Sequence, residues 1–181
     1  MDTDTTPASS DLAGDDQLAR HRLLLVVCTA NTCRSPVAAA LLDRRLSRCV
    51  DVDGHRWRVR SAGIERHDGG LDPDMVEAAA TLDVDITEHV PRRVGPADLN
   101  SASLVLTMTR HQLRTLVAAE PSVWPRTFTL REIVRRTEGL APTGGGVDGW
   151  LQAAGHGRRT ADLIGASADD DIVDPYGRGP A

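Results

Sequence analysis

The amino-acid sequence predicts an α/β protein, a three-layer sandwich in which a four-stranded parallel sheet has helices on both faces. The apolar run 24–27 ends abruptly at Cys28, and an Ala/Leu-rich stretch with helical spacing opens at Pro36. Strand-like and helix-like segments then alternate along the chain, which is typical of parallel pairing. Right-handed crossovers place the first strand inside the sheet and its following loop at the carboxyl edge, where such sheets bind ligands.

Apolar residues at helical spacing define three predicted helices: 36–48, 73–82 and 110–119. With 181 residues, 40% of them hydrophobic, the chain can bury one sizeable core. No apolar run approaches the roughly 20 residues that span a bilayer, and the polar residues 1–20 do not resemble a signal peptide. Three cysteines, an odd number, favour a reducing compartment. We therefore expect a cytoplasmic protein with no membrane partner.

Charge is distributed unevenly along the chain. Residues 1–20 hold five aspartates and one arginine, so the remainder is nearly neutral although the formal net charge is −5. Every basic residue is arginine, and no basic run is interleaved with aromatics, so we expect no nucleic-acid partner. Residues 1–20 are predicted to be a disordered acidic tail. Residues 139–146, rich in glycine, are predicted to be a flexible loop.

The segment from Cys28 to Arg34 has the features of a phosphate-binding loop. Small or polar residues fill the positions between them, so that backbone N–H groups can surround one anion. The following helix adds its positive end, and Arg34 supplies a planar fork for two oxygens. The same field favours the thiolate of Cys28, a nucleophile to which Ser35 can donate its hydroxyl. The predicted loop residues are Thr29, Ala30, Asn31, Thr32, Cys33 and Ser35. A buried structural cysteine beside a surface arginine is the alternative.

This stretch resembles the signature loop of the low-molecular-weight protein tyrosine phosphatases, Cys-x-Gly-Asn-x-Cys-Arg-Ser-Pro, with Ala30 in place of the glycine. Three further stretches are similar to the family's second, third and fourth strands: 58–63, 103–108 and 127–130. The resemblance implies strand order 2-1-3-4 and a phosphatase domain over residues 21–181. It also implies a cysteine-dependent phosphomonoesterase that hydrolyses phosphorylated proteins in two steps through a cysteinyl-phosphate, without cofactor or metal.

A second match lies far down the chain, where residues 174–176 resemble the family's Asp-Pro-Tyr loop. A leaving group departs slowly unless a proton arrives with it, and a positioned acid contributes typically about 10²–10⁴-fold. Asp174 is therefore the predicted general acid, although an acidic turn is the alternative. Tyr176 and His67 are candidates for the substrate wall, with an exposed loop histidine as the alternative for His67. The predicted catalytic residues are Cys28, Arg34 and Asp174.

The substrate is open between phosphotyrosine and phosphoarginine. The loop 64–70 offers no aromatic wall, and Thr32 is the residue found at this position in relatives that hydrolyse phosphoarginine. A thiol-dependent arsenate reductase is an alternative, but no cysteine follows Cys49 to supply the extra thiols. A phosphate-binding module without catalysis is another. The resemblance also implies reversible oxidative pairing of Cys33 with Cys28, and an inert thiol is the alternative.

The family resemblance implies a long final helix after the Asp-Pro-Tyr loop, whereas only residues 177–181 follow it here. Both faces of a parallel sheet need cover. We therefore predict that the inserted segment 147–163 folds as a helix near the sheet edge, with Trp150, Leu151 and Leu163 partly buried. So short a piece leaves an exposed apolar patch beside the helix that follows the first strand.

Overall fold

A parallel sheet in the order β2-β1-β3-β4 forms the centre of the computed structural model, which describes residues 21–140, 145–165 and 167–175. The strands are β1 (His21–Cys28), β2 (Arg56–Gly63), β3 (Ala102–Thr107) and β4 (Thr127–Thr129). Cys28 pairs with Gly63, and Val27 pairs with both Ala62 and Thr107. The predicted fold class and strand order are confirmed, and β1 ends between its two neighbours at the carboxyl edge.

Six α-helices occur in the described residues: α1 (Arg34–Leu46), α2 (Pro73–Thr81), α3 (Pro96–Ser101), α4 (Arg110–Ala119), α5 (Leu130–Thr137) and α6 (Gly146–Gly155). Short 3₁₀ turns cover Pro121–Arg126 and Thr160–Leu163. Each helix in the described part of the chain is too short or too polar to traverse a bilayer. Capping boxes start α4, at Thr109 with Gln112, and α5, at Thr129 with Glu132.

Alternation along β1 sends its side chains into two separate cores. Leu24, Val26 and Cys28 face the layer that contains α1, α5 and α6. Leu25 and Val27 face the layer that contains α3 and α4. A strand that is buried on both faces reads as a continuous apolar run, which is why the sequence marks β1 so clearly.

Several boundaries differ from the predicted ones. The fourth strand ends at Thr129 because the Thr129 hydroxyl caps α5, so Leu130 is helical. The first helix begins at Arg34 and ends at Leu46, two residues earlier at each end than predicted. Helices α3 and α5 were not predicted. Residues 1–20, residues 141–144 of the predicted flexible loop and Tyr176 lie outside the described residues.

The inserted segment folds as predicted in its first half, since α6 covers Gly146–Gly155. Leu151 and Leu163 are buried, more deeply than predicted, and Trp150 is partly buried. A buried guanidinium, that of Arg158, anchors the segment by stacking 3.8 Å from the centre of the Trp124 ring and bonding to Glu132 at 2.8 Å. The helix nevertheless stops at Gly155.

The predicted exposed apolar patch is present. An open groove of about 550 Å³ lies on this face, bordered by α1, α5 and α6. Partly buried side chains of Leu42, Trp57 and Trp150 line it, while Val52 and Val134 on its rim are 79% and 63% exposed. The single helical turn that follows Leu151 is thus insufficient to cover the face.

Candidate active site

The loop between β1 and α1 wraps around the sulfur of Cys28. Cys28 Sγ accepts hydrogen bonds from the backbone N–H of Asn31 at 3.2 Å and from the Ser35 hydroxyl at 3.0 Å. The cysteine is 2% exposed, and it lies at the N-terminal end of α1. Two hydrogen-bond donors and a helix N-terminus stabilise a negative charge on this sulfur. The predicted contact between Ser35 and the nucleophile is therefore present.

Asn31 is the centre of the hydrogen bonds that hold the loop. Its φ is +61°, and its buried amide donates to Ser35 Oγ and Ser61 Oγ, both at 2.9 Å. Its Oδ1 accepts from the backbone N–H of Arg92 at 3.1 Å. The left-handed conformation thus falls on Asn31, a residue that tolerates it, and Ala30 does not adopt a positive φ. This explains how alanine replaces the family's glycine.

His89 completes the support of the loop from behind. Its Nε2 lies 3.2 Å from the Asn31 carbonyl oxygen and 3.1 Å from Asn31 Oδ1. Both are acceptors, so Nε2 carries a proton and donates. Burial lowers the pKa of His89, and the nearby Arg92 charge acts in the same direction. A neutral imidazole therefore pins Asn31.

Gly63, at the end of β2, permits the closest approach between sheet and loop. A Cβ on Gly63 would lie 2.5 Å from the Thr29 carbonyl oxygen and 2.9 Å from the Ala30 carbonyl carbon. Backbone atoms cannot yield easily to such contacts, so only glycine fits here. The residues after it continue the contact: Ile64 N–H donates to Cys28 O and Glu65 N–H donates to Thr29 O.

The Arg34 guanidinium joins the loop to the distant segment 172–174. It donates to the Ile172 carbonyl at 2.9 Å, to Thr29 Oγ1 at 3.4 Å, and forms an ion pair with the Asp174 carboxylate. Its side chain is 8% exposed, while that of Asp174 is 45% exposed. The two halves of the predicted catalytic set therefore meet, although 140 positions separate them.

Main-chain and side-chain contacts hold the acidic segment in place. Ile172 N–H donates to the Met108 carbonyl at 2.8 Å, which attaches it to the end of β3. The Asp171 carboxylate accepts from the backbone N–H of Arg110, the first residue of α4, at 2.7 Å. Asp170 forms an ion pair with Arg135. These contacts leave Asp174 facing the loop.

A pocket of about 210 Å³ opens above the sulfur. Its lining residues are Cys28, Thr29, Ala30, Thr32, Cys33, Arg34, His67 and Asp174. His67, a candidate for the substrate wall, is thus at the mouth, while Tyr176 lies outside the described residues. None of the lining residues in the described part of the chain is aromatic, apart from the imidazole of His67.

Cys33 is buried in the loop as a protonated thiol. Burial raises its pKa to about 11, and the carboxylate of Asp72 adds to this effect. Its Sγ lies 3.7 Å from Asp72 Oδ2. Cys28, Cys33 and Cys49 are all free thiols. The oxidative pairing of Cys33 with Cys28 stays a prediction.

Sequence reasoning missed Gln112, Ser61 and His89. Gln112 Nε2 donates to Thr29 Oγ1 at 3.1 Å, and the sequence signal for it was the Thr-x-x-Gln capping box. No local signal marks Ser61 or His89, because each reaches Asn31 only through the tertiary fold.

Potential metal ligands gather elsewhere. Among the described residues, Asp51, Asp53 and His55 have ligand atoms within 4.8 Å of one another. Arg22 already bonds both carboxylates, at 2.6 and 3.1 Å.

The four-stranded parallel sheet and the loop around Cys28 are typical of one class of phosphatase, and comparison with known proteins identifies the family. The family model for low molecular weight phosphotyrosine protein phosphatase matches residues 23–141, so the chain belongs to that family. The matched range includes Cys28 and Arg34 and ends before Asp174.

The names of individual relatives state three different activities. A protein-arginine-phosphatase of Bacillus subtilis (strain 168) is 36% identical over 133 residues, 71% of this chain and 85% of the relative. The probable low molecular weight protein-tyrosine-phosphatase EpsP of Ralstonia solanacearum is 33% identical over 144 residues, 72% and 94% of the two chains. An arsenate reductase of Bacillus cereus (strain 03BB102) is 32% identical over 106 residues, 59% and 72%.

Solved structures share the fold. The crystal structure of a YwlE mutant from Bacillus subtilis superimposes with a TM-score of 0.56 at 31% identity, covering 78% of this chain and 90% of the other.

Proposed function

We propose that this chain is a cysteine-dependent phosphatase that acts on phosphorylated protein side chains. The observation that carries the proposal is the convergence of Cys28, Arg34 and Asp174 on one pocket, with the sulfur accepting two hydrogen bonds. A nucleophile, an anion clamp and a proton donor are the three groups that phosphoryl transfer requires.

In the first step the Cys28 thiolate attacks phosphorus opposite the leaving group. A sulfur–phosphorus bond forms while the bond from phosphorus to the leaving atom breaks. Arg34 and the backbone N–H groups of the loop stabilise the charge on the equatorial oxygens. The protonated carboxyl of Asp174 gives its proton to the leaving group, and a cysteinyl-phosphate results.

In the second step water attacks the cysteinyl-phosphate. The Asp174 carboxylate, now deprotonated, removes a proton from the water as the oxygen–phosphorus bond forms. The sulfur–phosphorus bond breaks, and the Ser35 hydroxyl stabilises the departing thiolate across 3.0 Å. Inorganic phosphate and the original thiolate are the products.

The ion pair between Asp174 and Arg34 supports this assignment of roles. A phosphate dianion competes with the carboxylate for the same guanidinium, so bound substrate frees the Asp174 carboxyl from Arg34 at the mouth of the pocket. The carboxyl is then beside the position of the leaving group, as the first step requires.

Phosphotyrosine is the substrate that the family resemblance implies, and phosphoarginine is a second candidate supported by the pocket. Thr32 lines the wall, and no phenyl or indole ring lies among the described lining residues. The Asp174 carboxyl pairs with the guanidinium of Arg34 when no substrate is bound, and in its acid form its carbonyl oxygen can still accept a hydrogen bond from the guanidino group of a phosphoarginine. The similarity to a protein-arginine-phosphatase also supports phosphoarginine as a candidate substrate.

Arsenate reduction has weaker support, despite the relatives that bear that name. It requires further thiols near the nucleophile, and the chain has only three cysteines. Cys49 lies beyond the C-terminal end of α1, about 20 Å from the loop at its start, because 13 residues of helix separate them.

Turnover of matched substrates tests the proposal. We expect release of phosphate from p-nitrophenyl phosphate and from either a phosphotyrosine or a phosphoarginine peptide, and no such release by Cys28→Ser. Thr32→Ile, with Thr32→Ser as the matched control, should shift selectivity from phosphoarginine towards phosphotyrosine. Arsenate reduction coupled to glutathione or thioredoxin, without phosphatase activity, would replace the proposal. Phosphate binding without any turnover would indicate a binding module.

A further inference from the structure

The Gln112 side chain lies beneath the phosphate-binding loop, and its amide has one satisfactory orientation. Gln112 is 1% exposed. One end of the amide faces two backbone donors, the N–H groups of Met108 at 2.9 Å and Thr109 at 3.0 Å, so that end is the carbonyl oxygen. The other end is then the NH₂ group, which lies 3.1 Å from Thr29 Oγ1. Gln112 must donate to the Thr29 hydroxyl.

The Thr29 hydroxyl oxygen also accepts a second hydrogen bond. Arg34 Nη2 lies 3.4 Å from the same oxygen, and a guanidinium can only donate. A hydroxyl has two lone pairs and one proton, so both of its acceptor positions are taken. Its proton is left to point in a third direction, and Thr29 lines the pocket above Cys28.

We propose that Gln112 is a positioning residue that fixes the Thr29 hydroxyl as a hydrogen-bond donor to the phosphoryl group. This inference rests on the proposed phosphatase function and adds a side-chain donor to the N–H groups and guanidinium of the loop. A donor already aimed at the oxygens needs no reorientation in the transition state. The neutral amide achieves this without adding charge beside Cys28.

Three substitutions at two positions test the direction of the hydrogen bond. Thr29→Val removes the donor and should lower kcat/KM for p-nitrophenyl phosphate on the order of 10²-fold, the usual cost of losing one such donor. Thr29→Ser should recover most of that loss. Gln112→Glu keeps an acceptor for Met108 and Thr109, but its second oxygen draws the Thr29 proton away from the pocket. It should therefore reduce kcat/KM to a similar extent.

The double variant separates this role from others. If Gln112 acts through Thr29, Gln112→Glu should cost at least tenfold less in the Thr29→Val background than in the wild type. An equal loss in both backgrounds would mean direct charge repulsion and would overturn the inference. So would wild-type activity in Thr29→Val. Thermal unfolding within a few degrees of the wild type excludes a folding defect.

Binding of inorganic phosphate distinguishes failure of this inference from failure of the proposed function. Calorimetry on Cys28→Ser should show weaker phosphate binding when Thr29→Val is added. If the wild type hydrolyses nothing but this weakening is observed, the proposed function fails and the hydrogen-bond role stands. If hydrolysis is normal and phosphate affinity is unchanged by Thr29→Val, the hydrogen-bond role fails alone.

Discussion

The loop 28–35 holds the proposed nucleophile, and the acidic segment 170–175 holds the proposed general acid. The two regions are stabilised by different kinds of contact. The loop is held mainly by side-chain hydrogen bonds of the buried Asn31, whose amide bonds to Ser35 and Ser61 on one side and to the imidazole of His89 on the other. The segment is held by guanidinium groups and by single backbone bonds, and Asp174 itself is 45% exposed.

This difference indicates that the anion site is held more firmly than the acid, although tertiary contacts position both. Buried hydrogen bonds are costly to break, because a buried group left without a partner costs about 1–3 kcal/mol. The Asp174 carboxylate is half-exposed, and ion pairs in contact with water contribute less, about 0–1 kcal/mol when fully exposed. We therefore expect the loop to keep its shape in variants that disturb the acid, and the following predictions test this expectation.

Replacing the nucleophile should have the largest effect. Cys28→Ser should reduce turnover by about 10⁴-fold or more, because no covalent intermediate forms, while oxyanion binding is retained in the preformed loop. Cys33→Ser, which removes a thiol that the mechanism does not use, is the control and should keep turnover. Kinetics with p-nitrophenyl phosphate and calorimetry with phosphate measure the two properties. Loss of phosphate binding in Cys28→Ser would contradict a preformed site.

Removing the acid should have a selective effect. Asp174→Asn should lower kcat by roughly 10²–10⁴-fold for substrates with poor leaving groups and much less for good ones, because only the former need the proton. A series of aryl phosphates with graded leaving-group pKa provides the measurement. A small, uniform loss across the series would assign Asp174 a structural role instead.

Disrupting the loop should affect folding as well as turnover. Asn31→Ala should lower the free energy of unfolding by about 2–4 kcal/mol, because it strands buried partners and places alanine at positive φ. Asn31→Gly is the matched control, since glycine accepts that φ, and it should recover about 1 kcal/mol of the loss. Urea denaturation measures both. If Asn31→Ala is as stable as the wild type, the loop is not held more firmly than the acidic segment, and the comparison between the two regions is wrong.

Loosening the acidic segment should leave the fold almost unchanged. Asp171→Ala removes the acceptor for the first N–H of α4, which costs about 1 kcal/mol. We expect kcat for poor leaving groups to fall by up to about tenfold, with phosphate affinity preserved. The neighbouring exposed Asp169→Ala serves as the control. Equal effects of the two changes on all substrates would show that this tie does not position Asp174.

The smallest effect should appear in the pH dependence of stability. Because burial lowers the pKa of His89 in the folded chain, the unfolded chain binds its proton more readily. The free energy of unfolding should therefore fall as the pH drops through the unfolded value of 6.5 and level off below the folded pKa. His89→Gln, which keeps a donor for Asn31, should flatten this decline in thermal unfolding scans between about pH 8 and 5. An unchanged slope would assign the decline to other groups.

The two regions also differ in how far the sequence predicts them. The loop is local, so Cys28, Arg34 and Ser35 can be assigned from consecutive residues and from the change from apolar strand to helix. The strand order follows from the alternation of elements and the family resemblance. Asp174 was found through its motif, but its partner Arg34 lies 140 positions away and only the folded chain joins them.

What sequence reasoning missed has a common physical origin. Ser61, His89 and Gln112 are polar residues that look like ordinary strand, loop and helix positions, and their importance arises from burial against the loop. The boundary error at β4 arose because Thr129 serves both as the last strand residue and as the cap of α5. Local pattern cannot decide between these uses.

The backbone bonds from Ile64 and Glu65 to the carbonyls of Cys28 and Thr29 have a consequence for amide hydrogen exchange. These two N–H groups join the loop to the residues that follow β2, so we expect them to exchange with solvent only when the firmly held loop separates from the sheet. The N–H of Ile172 bonds to the end of β3 from a segment whose Asp174 is half-exposed, and it is released whenever that segment lifts. Deuterium uptake over time should therefore separate into a slow set around residues 64–65 and a fast set around residue 172.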